Sequence, residues 1–290
     1  MRRAFVLLLT AALAVAAAGC GGSSNKSSGG STSTSCDKGD LNLINAGQLT
    51  VGTDNPAYPP WFGGKEKAPW KISNPASGEG FESAVAYAVT DKLGFAKNEV
   101  KWIVVPFNTA FAPGPKKFDF DINQISFKPE RAKAVDFSDS YYNVNQALVA
   151  VKGTKIADAK SIADLKPYKL AAQLGTTSYD FIKGKIKPSK QPSVFDTNDA
   201  AVQALKNKQI DGLVVDLPTA FYVTAVQVPN GTIVGQFEST TKEHFGMVFE
   251  KGNSLVRCVN NALSELESDG TLQQIQDNWL SKVVDAPVLK

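Results

Sequence analysis

The chain has 290 residues, with 31 Lys and Arg against 28 Asp and Glu, one His and three Cys. A net charge of +3 is too small for a nucleic-acid footprint, and one His with scattered Cys leaves no zinc-type cluster. Neither a G-x-x-x-x-G-K-[ST] loop, a G-x-G-x-x-G turn nor a G-x-S-x-G elbow is present, which argues against nucleotide enzymes and serine hydrolases.

The first element is an address. Arg2 and Arg3 precede an apolar run from Ala4 to Ala18, and the small residues Ala17, Ala18 and Gly19 precede Cys20. This layout predicts a signal peptide over residues 1–19, too short for a membrane span. Small residues before a Cys resemble the bacterial lipobox, with Ala17 where Leu is usual; the resemblance implies that Cys20 is acylated and becomes the mature N-terminus. An ordinary signal cleaved near Ala18 is the alternative. The 15 residues between Cys20 and Cys36 include 7 Ser, 4 Gly and 2 Thr. Without apolar side chains to offset ordering entropy, residues 20–35 read as a flexible lipidated tether. Export leaves Cys36 and Cys258 in an oxidising space, where one bridge between them is the economical reading and two buried thiols the other.

The body alternates strand and helix patterns. Residues 48–53 (QLTVGT) read as a strand, and the Pro- and Gly-rich stretch 54–64 as a loop. Phe81, Val85, Ala88, Val89 and Leu93 mark a helix that ends before Gly94. Strands are predicted at 100–105 and 118–122, and a long one at 141–151 that crosses between lobes. A helical turn at 162–165, a strand at 169–173, a turn at 174–178 and a helix from Tyr179 follow. Next come a strand at 194–196, a helix at 199–208, an apolar strand at 212–215, a helix at 218–226 and strands at 232–234 and 244–249. Two helices close the chain, one along Leu255, Val259, Ala262 and Leu266 and stopped by Asp269-Gly270, the other along Leu272, Ile275 and Leu280. Alternation of this kind predicts an α/β fold with largely parallel sheets.

Residues 128–142 read KPERAKAVDFSDSYY. They are similar to the T-P-E-R-A-K-x-V-D-F-S-x-P-Y-Y stretch of family 3 of the bacterial extracytoplasmic solute-binding proteins, which serve polar amino acid transporters. Further matches stand in the same order: VGTD at 51–54, YPPW at 58–61, GF at 80–81, QLGTTS at 173–178, DGLVVDLPTA at 211–220, FGMVF at 245–249 and LESDGTLQQIQDNW at 266–279. The resemblance implies a two-lobe periplasmic-binding-protein fold of type II, its two α/β lobes joined by two crossover strands. Lobe 1 would take residues 36–146 and 243–290, and lobe 2 residues 147–242.

The resemblance also implies a function. The chain would be the substrate-binding component of an ABC importer, monomeric and lipid-anchored at the outer face of the cytoplasmic membrane or in the periplasm. It would capture a free polar or charged L-amino acid between its lobes and deliver it to a membrane permease driven by a cytoplasmic ATPase. No cofactor, metal or nucleic acid is implied. Arg131 corresponds to the family's carboxylate clamp, a role that suits a guanidinium fork. Ser126 stands where a hydroxyl meets the ligand's charged end, and Thr177 where lobe 2 receives the carboxylate, with Ser178 beside it. Asp216 ends the strand LVVD and corresponds to the ammonium partner; a plain N-cap is its bland reading. Tyr58, Trp61 and Phe107 are expected as aromatic walls, and Asp54 as a partner for a cationic or amide side chain. The amides of Asn123 and Gln124 reach the ligand or fill loop space, and Glu82 receives no role.

Two alternatives come from other classes. A dehydratase of the cyclohexadienyl or arogenate type on the same fold would need an acid or base in the cleft, and Glu243 and His244 lie outside the matched positions. A sensing lobe would act through a separate signalling partner, because no second membrane segment is present.

Overall fold

The computed structural model describes residues 35–238, 242–282 and 285–290. The predicted signal peptide, Cys20 and nearly all of the tether lie outside the described residues. Residues Ser35–Lys290 form one compact unit. In chain order its elements are β1 (Leu49–Thr53), α1 (Phe81–Lys92), β2 (Val100–Val104), the short α2 (Phe107–Ala110), β3 (Phe120–Asp121), β4 (Val135–Phe137), β5 (Tyr142–Asn143) and β6 (Gln146–Val151). Then follow β7 (Leu170–Gln173), α3 (Thr177–Phe181), β8 (Ser193–Phe195), α4 (Asn198–Lys206), β9 (Gly212–Asp216), α5 (Leu217–Tyr222), β10 (Gly231–Phe237), β11 (His244–Phe245), β12 (Val248–Glu250), α6 (Leu255–Ser268) and α7 (Thr271–Leu280).

Two five-stranded sheets result, ordered β2-β1-β3-β12-β4 and β10-β6-β9-β7-β8. They are mixed, not largely parallel. β1 runs parallel to β2 and β3, and β7 to β8 and β9, whereas β12 and β6 run antiparallel to their neighbours. The reason is the crossover: β6 carries the chain into the second sheet and pairs antiparallel with β10, the last strand before the return. β5 and β11 pair as a small ladder between the sheets. The predicted strand over 141–151 is therefore two strands, and the one over 244–249 is broken at Gly246-Met247. There the amides turn aside to Ile125 O and Ser138 Oγ.

Each sheet is apolar on both faces. α1, α6 and α7 cover one face of the first sheet, packing Phe81, Val85 and Val89 against Leu255, Val259, Leu263 and Leu280. A smaller cluster around Val105, Phe118, Ile125 and Val248 fills its other face. On the second sheet, α4 and α5 bury Val202, Leu205 and Leu217 on one side, while Leu165, Ile182 and Ile186 pack on the other. α6 ends where Gly270 adopts φ 78°, a left-handed conformation that glycine reaches without Cβ strain.

The C-terminus departs from its expected place. The expected lobe 1 takes residues 243–290, but Val288 and Leu289 lie on the second sheet. Val288 bridges to Gln236, Leu289 N donates to Gln236 O at 2.9 Å, and the Leu289 side chain enters the core beneath β6 and β10. Burying Leu289 and pairing the β10 edge both favour this course.

A disulfide joins Cys36 to Cys258 in α6, across a sequence separation of 222 residues. Closing so long a loop removes much entropy from the unfolded chain. Replacing both cysteines with serine is expected to lower stability by about 2–5 kcal/mol. Guanidinium unfolding of the two forms checks this, and superimposable transitions would contradict it.

Candidate functional site

A cleft between the two sheets encloses a cavity of about 140 Å³, lined from both sides. Of the expected ligand residues, Asp54, Tyr58, Phe107, Gln124, Ser126, Arg131, Thr177, Ser178 and Asp216 line it, and Trp61 does not.

Arg131 opens a single helical turn before β4 and is only 7% exposed. Its Nη1 donates to Ser126 O at 2.6 Å, and its Nη2 reaches across the cleft to Gly175 O at 2.7 Å. The guanidinium carbon lies 4.2 Å from the Phe111 ring centroid and 5.7 Å from that of Phe107, so cation–π contact replaces water on those faces. Burial pulls its pKa down to about 10, against the nearby charges of Asp180, Glu243 and Asp216. Among the described residues no carboxylate forms an ion pair with it. The fork is fixed by two carbonyls and keeps further N–H donors.

Asp216 ends β9, and its backbone serves as the cap of α5 without a side-chain cap bond. Its Oδ1 accepts from Gln146 Nε2 at 2.7 Å. Burial, with Glu243 adding like charge, pushes its carboxyl up to about 8. Gln146 organises this side: its Oε1 accepts from Ser178 Oγ at 2.5 Å, and its Nε2 lies 3.3 Å from both oxygens of Glu243. Ser126 Oγ donates to Glu243 Oε1 at 2.6 Å and lies 3.4 Å from Thr177 Oγ1. Glu243 thus joins the cleft network, contrary to its expected place outside it.

Three expectations need correction or refinement. Trp61 is 1% exposed and packs against Phe81, Tyr142 and Phe245, each ring centroid within 6.0 Å. It is core, not wall; its Nε1 donates to Thr219 Oγ1 at 3.0 Å and so ties the two sides of the cleft together. Gln124 lines the cavity, but its backbone N (2.6 Å) and its Nε2 both donate to Glu82. The amide is spent, and a φ of 47° turns the chain there. The helix expected from Tyr179 begins at Thr177, because Thr176 caps it by accepting from Tyr179 N. Tyr58 lines the cavity, and its hydroxyl donates to Asp199, whose other oxygen accepts from Gln227 Nε2 at 3.0 Å.

Glu82 and Asp121 were missed as buried acids. Glu82 also accepts from the Tyr141 hydroxyl at 2.5 Å, and burial pushes it up to about 7. Asp121 is fully buried with both oxygens unpartnered, and burial holds its carboxyl well above the usual range. Among the described residues no group of His, Cys, Asp and Glu is placed to hold a metal ion.

The two sides touch at several further points. Lys128 pairs with Asp180 across the cleft. Gly175 has φ +80°, and a Cβ there would stand 2.3 Å from Asn108 Oδ1. Glycine permits this close approach, which in turn delivers the Gly175 carbonyl to Arg131.

The profile of the bacterial extracellular solute-binding proteins, family 3, matches residues 49–282. The L-cystine-binding protein TcyJ of Escherichia coli K12 is 28% identical over 254 residues, covering 86% of this chain and 89% of that protein. The ABC transporter glutamine-binding protein GlnH of Bacillus subtilis is 30% identical over 216 residues, covering 73% and 77%. A solved structure of an ancestral arginine-binding protein bound to glutamine superposes with a TM-score of 0.66 at 34% identity, over 81% of this chain and 98% of that one.

The raised carboxyls fix a pH dependence. Asp216 and Glu82 bind protons more tightly in the folded chain than in the unfolded one. Stability without ligand should therefore be greatest below pH ~4 as far as these groups go, and fall as pH rises towards 8, where the unfolded chain has released protons that the fold retains. Denaturant midpoints at pH 5 and pH 8 check this. The midpoint should be lower at pH 8, and Asp216→Asn should flatten the difference; a midpoint that rises over this range contradicts the assignment.

Proposed function

Because the chain belongs to the bacterial extracellular solute-binding proteins of family 3, we propose that it captures a polar α-amino acid between its lobes for an ABC importer. One observation carries the reading. A buried guanidinium on one side of the cleft and a buried carboxyl group on the other line one cavity, and among the described residues no ion pair satisfies either of them. An amino acid backbone supplies the matching pair.

The α-carboxylate takes the remaining donors of Arg131, with Thr177 on the opposite lobe. The α-ammonium takes Asp216, beside the Ser126 hydroxyl. Aligning both charges requires both lobes, so the ligand favours the apposed arrangement over an open one by differential affinity. Trp61–Thr219, Tyr58–Asp199 and Lys128–Asp180 supply contacts for that arrangement. The apposed form is what a membrane permease would receive. Export and lipid anchoring at Cys20 belong to the same reading and rest on the N-terminal sequence. We read the chain as a monomeric carrier and not as a dehydratase; the relatives it matches are named for binding and transport.

Replacing Arg131 with alanine should weaken amino acid binding by about 3–5 kcal/mol, the cost of stranding a buried charge. Arg131→Lys should not restore it, since an ammonium cannot make the paired contact. Calorimetric titration of wild type and both variants with the tightest-binding amino acid checks this. Wild-type affinity in Arg131→Ala would remove the clamp.

A further inference from the structure

The proposed reading gives the α-ammonium one acid, Asp216. The structure sets a second acid beside it. Glu243 immediately precedes β11, on the return from the second sheet, and Asp216 ends β9. One side chain meets both: Gln146 Nε2 donates to Asp216 Oδ1 at 2.7 Å and lies 3.3 Å from each carboxyl oxygen of Glu243. The chemistry forces that orientation of the amide. Turned over, its oxygen would face two carboxyl groups; as placed, the oxygen accepts from Ser178 Oγ at 2.5 Å.

Glu243 also fixes the polarity of Ser126. A hydroxyl has a single proton, and Ser126 Oγ gives it to Glu243 Oε1 at 2.6 Å. Ser126 therefore offers lone pairs to the cavity it lines, which suit an N–H of the ligand and not a carboxylate oxygen.

Two acids meeting one amide nitrogen repel each other when both are ionised. A proton on one of them removes the repulsion in the empty cleft, and burial together with the Glu243 charge seats it on Asp216. Three further groups bear on Asp216. Glu82 of α1 adds like charge, Arg131 of the turn before β4 opposes it, and Tyr142 of β5 keeps its own proton because it is buried. Glu82 is already met by the Tyr141 hydroxyl and by both nitrogens of Gln124.

We infer that Glu243 is a positioning residue for the ammonium end of the cleft, and that the ligand's α-ammonium takes the place of a proton held there; the inference rests on the amino acid reading above. The exchange balances. The ammonium keeps its three N–H bonds, the Asp216 O–H bond breaks with its electron pair left on the carboxylate, and the proton leaves to the buffer. Before binding, two acids share one proton; afterwards, two carboxylates share one cation. The net charge at this end of the cleft is the same in both states.

Calorimetric titration of the full chain with glutamine, arginine, histidine and cystine, at pH 7 in phosphate and in Tris, tests this. Binding of the tightest of the four should release about one proton, read from the difference in heat between the two buffers. Its affinity should rise about tenfold per pH unit between pH 6 and pH 7.5. Glu243→Gln keeps an acceptor for Ser126 but removes the charge, so proton release at pH 7 should fall by about half or more and the pH profile should flatten. Glu243→Asp keeps the charge and should keep the release. A Glu243 that only held the fold together would change affinity equally at every pH. Tight binding with no buffer dependence overturns the exchange and leaves the amino acid reading standing. Release in Glu243→Gln equal to that of wild type overturns it too, as does release lost in Glu82→Gln but kept in Glu243→Gln. The wild-type buffer dependence decides the exchange even where the glutamine variant does not fold. Binding of no amino acid at all overturns the reading beneath it as well.

Discussion

A guanidinium and a carboxyl group held out of water on facing lobes are what the cleft is built around. Arg131 comes from the turn before β4 and Asp216 from the end of β9, and among the described residues neither forms an ion pair. Removing the Arg131 charge from water costs stability in the ligand-free chain. The fold answers in two ways. Arg131 is stacked on two phenyl rings and locked by two carbonyls, while the Asp216 carboxyl keeps its proton near neutral pH. Both groups are thereby positioned before any guest arrives, so less ordering remains to oppose binding.

The supporting network explains why the cleft lies at the crossover. Gln146 is the first residue of β6, the strand that brings the chain into the second sheet. From there its amide holds Ser178 and Asp216 of the second lobe and lies beside Glu243 of the returning segment. A shift at the crossover would therefore move both lobes' ligand groups together. The C-terminal residues pack on β10, and the disulfide ties Cys36 to α6 in the first lobe. Rigid lobes joined at one organised seam are the arrangement that hinge closure requires.

Much of this was legible in the sequence, for identifiable reasons. Arg131 stands in a long patterned stretch, and Asp216 ends an apolar strand whose tip must face a cleft in an α/β fold. Local periodicity also placed α1, α6 and α7 within a residue or two. What failed needed knowledge of facing. Trp61 has the composition of a binding-loop aromatic, yet it points into the core among Phe81, Tyr142 and Phe245. The Gln124 amide could reach the ligand or fill loop space, and its bonds to Glu82, 42 residues away in sequence, leave no local signal. Gln146 and Glu243 lie 97 residues apart and meet only at the seam between lobes. Gln146 left one faint signal, a lone polar residue opening the apolar strand QALVAV. The tail over 286–290 is too short for periodicity to assign to either sheet.

The most direct test of the central idea is a crystal structure of the chain with its amino acid bound. The account predicts density in the cleft with the α-carboxylate oxygens paired to the Arg131 guanidinium and the α-ammonium within hydrogen-bond distance of an Asp216 oxygen. A guest bound with its carboxylate turned away from residue 131, or seated outside the cleft between the sheets, would contradict it.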